Sequence, residues 1–274
     1  MMRRTDLKTI WLWGISGVII LMFLFPLTVM ARIALSSPQE IFQPHPPYLI
    51  QEVTWRHFRA VFRSGEVFFQ PLRKSLLTAL WATVASLLIA TPAAYAISRM
   101  NYRLRYIFIV AIFVTRMIPE VSIALPIAST FIQMGLFDTI PGLVMAHLVR
   151  ILPVSCFILV GVFAAFPEEL EKQARIDGYS RLKSIWKIVL PLSMTGIAVA
   201  GLFSFLLSWD EFIYASYLTL ARPTMPLKVY YYVARGNIFY SATYALIITV
   251  PVLLMTFMLQ RYIKPEYLSG SVKG

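Results

Sequence analysis

Six long apolar stretches, at about residues 10–33, 72–97, 105–133, 141–163, 191–217 and 240–262, leave this chain few ways to fold. About 20 apolar residues cross roughly 30 Å of hydrocarbon as a helix, and in lipid a spanning backbone must satisfy its own hydrogen bonds. Each stretch is long enough. Of 274 residues 58% are hydrophobic and only 14% charged, with a mean hydropathy of +0.70, so lipid is the solvent for most of the chain. The reading is an all-α integral membrane protein, a single domain over residues 1–274 with six transmembrane helices.

Arg3, Arg4 and Lys8 precede the first stretch, and Val29-Met30-Ala31 resembles a small-residue cleavage site. A signal peptide's apolar region is about 7–15 residues, too short to match this one, which also carries Trp11, Trp13 and Phe23. The first helix is therefore expected to stay in the protein.

Lys and Arg accumulate on cytoplasmic loops. Arg3, Arg4 and Lys8, then Arg99, Arg103 and Arg105, then Lys172, Arg175, Arg181, Lys183 and Lys187, and finally Arg261, Lys264 and Lys273 fall on one side of a six-span chain. Arg56, Arg59, Arg63, Arg222, Lys228 and Arg235 fall on the other. Both termini are expected to be cytoplasmic. Topology and anionic headgroups account for the net charge of +12, so the basic surplus does not call for nucleic acid.

Cys156 is the only cysteine and lies in an apolar stretch, which leaves no disulfide and no thiolate metal site. His45, His57 and His147 have no ligand spacing, so no metal is implied. The chain carries no GxSxG, no GxGxxG and no GxxxxGK[ST] loop to cradle phosphates; if nucleotide hydrolysis drives it, another chain performs the hydrolysis.

Residues 164–190 form a polar, basic island between the fourth and fifth stretches. Pro167 suits a first helical position, and Glu168, Glu169 and Glu171 favour a helix N-terminus. Asp177-Gly178 marks the stop. Ser180 can cap a second helix in which Leu182, Ile185, Trp186 and Val189 form a single apolar stripe opposite Arg181, Lys183 and Lys187. Helix chemistry alone leaves two uses open: a rest on the headgroups, or docking into a groove of a soluble partner.

Lys172-Gln173-Ala174-Arg175-Ile176-Asp177-Gly178, with Ile188-Val189-Leu190-Pro191 ten residues later, resembles the EAA loop of bacterial ATP-binding-cassette (ABC) importer permeases. The family has Glu-Ala-Ala where this chain has Lys172-Gln173-Ala174, so only Ala174 matches, and Glu169 and Glu171 supply acidic character from neighbouring positions. Thr91-Pro92-Ala93-Ala94-Tyr95-Ala96-Ile97-Ser98-Arg99 is similar to the second-span ending of the carbohydrate, maltose-type branch. Phe205 to Phe212 is similar to its fifth-span motif, with Asp210 in place of the usual Asn. Ser269-Gly270-Ser271-Val272-Lys273-Gly274 resembles the tail that reaches between the ATPase subunits in maltose-type systems.

The resemblance implies a permease subunit of a carbohydrate importer in the bacterial inner membrane. It would pair with a second permease and sit on two copies of an ABC ATPase, which hold the ATP and Mg. It would take substrate from an extracytoplasmic binding protein and bind no cofactor itself. The residues it puts at the ATPase are Glu169, Glu171, Ala174, Asp177, Gly178, Ile185 and Trp186 in a cytoplasmic coupling-helix loop, and Gly270 and Lys273 in the tail. Alternating access would follow from the ATPases pushing the loop, and the chain itself would not be an enzyme.

Two extracytoplasmic segments stand out. Residues 34–71 carry Trp55, His57, Phe58, Phe62 and Arg63 at roughly helical spacing, which fits a helix packed on its own bundle, an interfacial helix or a receptor platform. Residues 219–240, with Tyr230-Tyr231-Tyr232, lie where maltose-type subunits place a loop that probes the binding protein; interfacial anchoring is the other use of such tyrosines.

Ionisable residues inside spans are costly and mark candidate paths. Arg116 and Glu120 are spaced to pair on one helix face, and Arg150 lies one turn from His147. Trp209, Asp210, Glu211 and Tyr214 cluster late in the fifth stretch, where acids and rings can line a path for sugar hydroxyls; alternatively Arg116 and Arg150 meet an acidic saccharide. A stand-alone secondary transporter is the competing class, with proline-interrupted spans at Pro92, Pro119, Pro126 and Pro153. It would leave the island unexplained. A membrane phosphatidyltransferase would need aspartates downstream of Asp177-Gly178 that are missing.

Overall fold

In the computed structural model, which describes residues 4–63 and 65–262, the regular structure is helical. The long helix α1 (Arg4–Leu35) is followed by a single turn, α2 (Pro38–Ile41), and by α3 (Arg56–Arg63). Next come α4 (Gly65–Ser98), α5 (Tyr102–Val114), a 3-10 turn over Thr115–Met117, α6 (Glu120–Gln133) and α7 (Ile140–Ala164). The island holds α8 (Glu168–Ile176), α9 (Arg181–Ser184), a π turn over Ile185–Val189 and α10 (Leu190–Leu192). The chain continues with α11 (Met194–Trp209), α12 (Ile213–Leu218), α13 (Met225–Ala234) and α14 (Ile238–Tyr262).

Four helices, α1, α4, α7 and α14, are each long and apolar enough to cross a membrane. The third and fifth expected spans depart from straight rods. Tyr102–Met117 and Glu120–Gln133 meet at 81°, because Pro119 lacks an N–H and holds Ile118 in extended backbone at φ −75°, ψ 125°. Arg181–Leu192 and Met194–Trp209 meet at 73°. The fifth apolar helix thus opens at Met194, beyond a bend at Ser193, rather than at Pro191. It stops at Trp209, and the expected stretch to residue 217 continues only as the separate α12.

Side-chain caps fix several helix starts. Asn101 Oδ1 accepts the Leu104 N–H at 2.9 Å at the head of α5, and Thr139 Oγ1 accepts the Gly142 N–H at 3.1 Å at the head of α7. Position 142 must be glycine, since a Cβ there would collide with the Leu136 carbonyl oxygen.

Two compact units emerge, one comprising residues up to Phe69 with Lys228–Val250 and the other Gln70–Leu227 with residues from Pro251 onward. In the first, Phe68 is buried between Phe62 and Tyr244, and Tyr244 stacks on Tyr232 at 5.3 Å. Only 6% of the apolar window of α1 is buried, against 50% for α7. The exposed Trp11, Trp13, Phe23 and Phe25 of α1 are therefore a surface for lipid or for another protein.

The second unit is organised around α7. One apolar cluster joins Ala90, Ala94 and Ile97 of α4 to Cys156, Leu159 and Phe163 of α7, Val189 of the π turn and Ala200 of α11. Another joins Ala124, Ala128 and Phe131 of α6 to Leu143 and Ala146 of α7 and to Tyr214 and Ala215 of α12. A chain of hydroxyls stitches three helices together: Ser86 donates to Ser155 at 2.8 Å, and Ser155 and Ser204 share a bond of 2.8 Å. In hydrocarbon such small hydroxyls let helices approach closely and satisfy one another.

Candidate functional site

Two groups of the residues singled out by sequence have defined surroundings, and they lie in different parts of the second unit. The first is the island. Pro167 occupies the position before α8 in extended backbone rather than its first helical position. Gly178, at φ +87°, ends α8: the Tyr179 N–H returns to the Ala174 carbonyl at 3.0 Å, a left-handed closure that favours glycine. Ser180 Oγ then accepts the Lys183 N–H at 3.3 Å to start α9.

The expected apolar stripe of the second helix is split. A π turn replaces the α-helical turn at Ile185–Val189. Leu182 and Trp186 stand exposed, each 66%, whereas Val189 is fully buried and Ile185 packs with it against α4 and α7. The seven predicted coupling residues divide in the same way. Glu169, Asp177, Gly178 and Trp186 are exposed; Glu171 and Ala174 are buried and Ile185 is half-buried. Ile176, which sequence reasoning did not single out, is exposed beside them. Gly270 and Lys273 lie outside the described residues.

What buries Glu171 is the end of α4. The Tyr95 hydroxyl donates to Glu171 Oε1, Arg99 Nε donates to Oε2 at 3.2 Å, and a second Arg99 nitrogen lies 3.2 Å from the same oxygen. Arg99 also donates to the Phe163 carbonyl at 2.9 Å, tying the last turn of α7 into the joint. Neither Tyr95 nor Arg99 was assigned a role from sequence. The available signal was their i, i+4 spacing, which puts a phenol and a guanidinium on one helix face at a span end.

The second group is a polar seam in the middle of the apolar helices. Arg116 and Glu120 do not pair, because the 81° bend at Pro119 separates their helices. Arg116 instead donates to the Arg150 carbonyl, and the Arg150 guanidinium lies 3.7 Å from Glu120. One turn earlier on α7, His147 Nδ1 lies 2.7 Å from Ser208 Oγ and Nε2 lies 3.1 Å from Glu211 Oε2. Glu211 also accepts the N–H groups of Tyr214 at 2.7 Å and Ala215 at 3.0 Å, capping α12 from the break that follows α11. The unbroken α7 thus holds both breaks, one through Arg150 and one through His147.

Adjacent residues of the fifth-span motif differ sharply in exposure. Asp210 is exposed, whereas Trp209 and Glu211 are each 1% exposed and Tyr214 is fully buried. Among the described residues the Tyr214 hydroxyl has no hydrogen-bond partner. At the head of α7 a further joint joins three segments. Lys74 Nζ donates to Asp138 Oδ1 and to the Arg222 carbonyl, each at 2.6 Å, and the Ala221 N–H donates to Asp138 Oδ2 at 3.0 Å. The sequence signal for that joint was the Arg73-Lys74 pair at the start of an apolar stretch.

Residues 78–268 match the family described as binding-protein-dependent transport system inner membrane component, and the chain belongs to that family. It is 30% identical to the trehalose transport system permease protein SugB of Mycobacterium tuberculosis, over 81% of this chain and 83% of that one. It is 26% identical to the diacetylchitobiose uptake system permease protein DasC of Streptomyces coelicolor, over the whole of both chains. Its fold resembles that of a bacterial ABC transporter involved in the import of the acidic polysaccharide alginate, with a TM-score of 0.76 and 20% identity over 96% of this chain and 99% of that one. Membership sets aside the stand-alone secondary carrier: the chain is a permease component of a transport system that works with a binding protein.

Proposed function

We propose that this chain is a transmembrane permease subunit of an ABC importer that receives a carbohydrate from an extracytoplasmic binding protein and passes it to the cytoplasm of a bacterium. The supporting comparisons are the family match and the relatives named for trehalose and diacetylchitobiose. Six spans are read by counting each bent pair as one, with both termini cytoplasmic. A second permease subunit completes the pore, and two ATPase copies bind and hydrolyse ATP with Mg.

The observation that carries the coupling reading is the two-sided island. Glu171 and Ala174 are buried against the permease, while Ile176, Leu182 and Trp186 are left exposed on a capped elbow. An apolar patch on a rigid elbow is suited to a groove in a soluble partner. When the ATPases close, a push on that elbow travels through Glu171 to Tyr95 and Arg99 at the end of α4 and to Phe163 at the end of α7. The last turn of α7 moves with α4, and the two helix breaks held by His147 and Arg150 move with α7. That is a lever with one rigid element and two hinges.

The translocation path is assigned to the side of the fifth-span break that presents Asp210, whose carboxylate can accept hydrogen bonds from sugar hydroxyls. Glu211, Arg150, Arg116 and Glu120 are given a positioning role, since their charged groups already meet groups of the same chain.

Co-purification of the chain with its ATPase tests the coupling reading. Trp186→Glu and Gly178→Asp are expected to lose the ATPase, while Lys172→Ala on the same loop is expected to retain it. Full ATPase recovery with both of the first two variants would refute docking through the island.

A further inference from the structure

Helix α3 has three faces of different chemistry. His57 and Val61 are buried, Trp55, Phe58 and Phe62 form an aromatic stripe at i, i+3 and i+7, and Arg56, Arg59 and Arg63 form a basic stripe at the same spacing. Trp55 belongs to the first turn, since its carbonyl accepts the Arg59 N–H at 2.9 Å. The rings of Trp55 and Phe58 pack at 5.6 Å. Trp55 and Phe62 remain 55% and 46% exposed, and all three arginines are exposed.

The buried face fixes the depth of the helix. His57 Nε2 lies 3.1 Å from the Ser36 carbonyl, one residue past the apolar window that ends at Leu35. Its ring stacks on Phe239 at 4.8 Å and meets Tyr240 edge-on, both in the first turn of the apolar window that opens at Ile238. α3 is therefore pinned where two spans leave the hydrocarbon. Large rings at that level sit in the acyl boundary, and arginines beside them reach the phosphate layer. An open cleft of about 710 Å3 follows the basic stripe, with Trp55, Thr54 and Tyr240 among its walls and no acidic side chain among the described residues that line it. Among the described residues no ion pair neutralises Arg56, Arg59 or Arg63.

We infer that α3 is a binding site for phospholipids with anionic headgroups: the guanidiniums take the headgroup phosphate and the aromatic stripe takes the upper acyl chain. Exposed rings require an apolar partner and the adjacent guanidiniums an anionic one, and an anionic phospholipid supplies both in one molecule at the depth where the helix is pinned.

The test reconstitutes the full chain in nanodiscs containing phosphatidylglycerol and phosphatidylcholine in equal amounts, then counts lipids retained in mild detergent by native mass spectrometry. Wild type is expected to retain phosphatidylglycerol preferentially, by about fivefold per engaged arginine, with the preference falling as salt is raised. Arg56→Gln/Arg59→Gln/Arg63→Gln is expected to lose the preference, and the corresponding triple Lys variant to keep most of it. Arg59→Gln alone is expected to lower it measurably, which serves if the triple variant folds poorly. Equal retention of both lipids by wild type would overturn the inference. So would an unchanged preference in the Gln variants alongside weaker capture of the binding protein, which would make the face a protein-docking surface.

Discussion

Arg99 and Glu171 meet at 3.2 Å across 72 residues of chain, each with a side chain only 12% exposed, and this pair joins the end of α4 to the island. Removing either charge strands the other in a poorly solvated place. Arg99→Gln and Glu171→Gln are each expected to lower stability, and the double variant to cost less than their sum, with a coupling of about 1–3 kcal/mol. Thermal unfolding of the four proteins in one detergent gives the cycle; strict additivity would mean that the pair does not act as a joint.

Glu211 accepts two backbone N–H groups on one buried carboxylate, which also lies 3.1 Å from His147 Nε2. Glu211→Ala would leave the Tyr214 and Ala215 N–H groups and His147 without it, a loss expected at about 3 kcal/mol or more. Glu211→Gln keeps one accepting oxygen and is expected to fall between alanine and wild type. The order wild type, Gln, Ala in detergent unfolding temperature checks this.

Asp210 is next in sequence but exposed, so its substitution separates path from scaffold. Asp210→Asn is expected to change stability by less than about 0.5 kcal/mol. It is expected to weaken uptake at limiting substrate. Uptake with unaltered affinity and rate would remove Asp210 from the path.

Gly142 tests the tight entry into α7. In Gly142→Ala the new methyl group meets the Leu136 carbonyl, and an overpacking cost of about 1–3 kcal/mol is expected. Gly161→Ala, where a Cβ meets nothing within 4 Å, is the control and is expected to be near neutral or stabilising.

The apolar helices, the glycine stop at 178 and the Ser180 cap were all legible, because hydropathy and cap chemistry are local properties of the sequence. Of the two bends, the one at Pro119 was legible only as a proline, and the one at Ser193 was not legible at all. Pro92, Pro126 and Pro153 lie inside continuous helices, whereas Pro119 ends one, and nothing near residue 119 in the sequence says that α7 will be there to receive both halves. Long-range pairing hid the rest. Arg116 and Glu120 have the spacing of a helical ion pair, yet both are drawn to Arg150, 30 or more residues away. The division of labour between Asp210 and Glu211 was hidden for the same reason, since it depends on His147 and Ser208 claiming one side of the break.

The π turn at Ile185–Val189 gives one short helix two apolar edges, Ile185 and Val189 turned inward and Leu182 and Trp186 turned outward. Under the proposed docking, the two edges form separate alphabets. The outward pair can drift to suit a different ATPase without rewriting the inward pair, and a permease lineage can exchange its motor while keeping its pore.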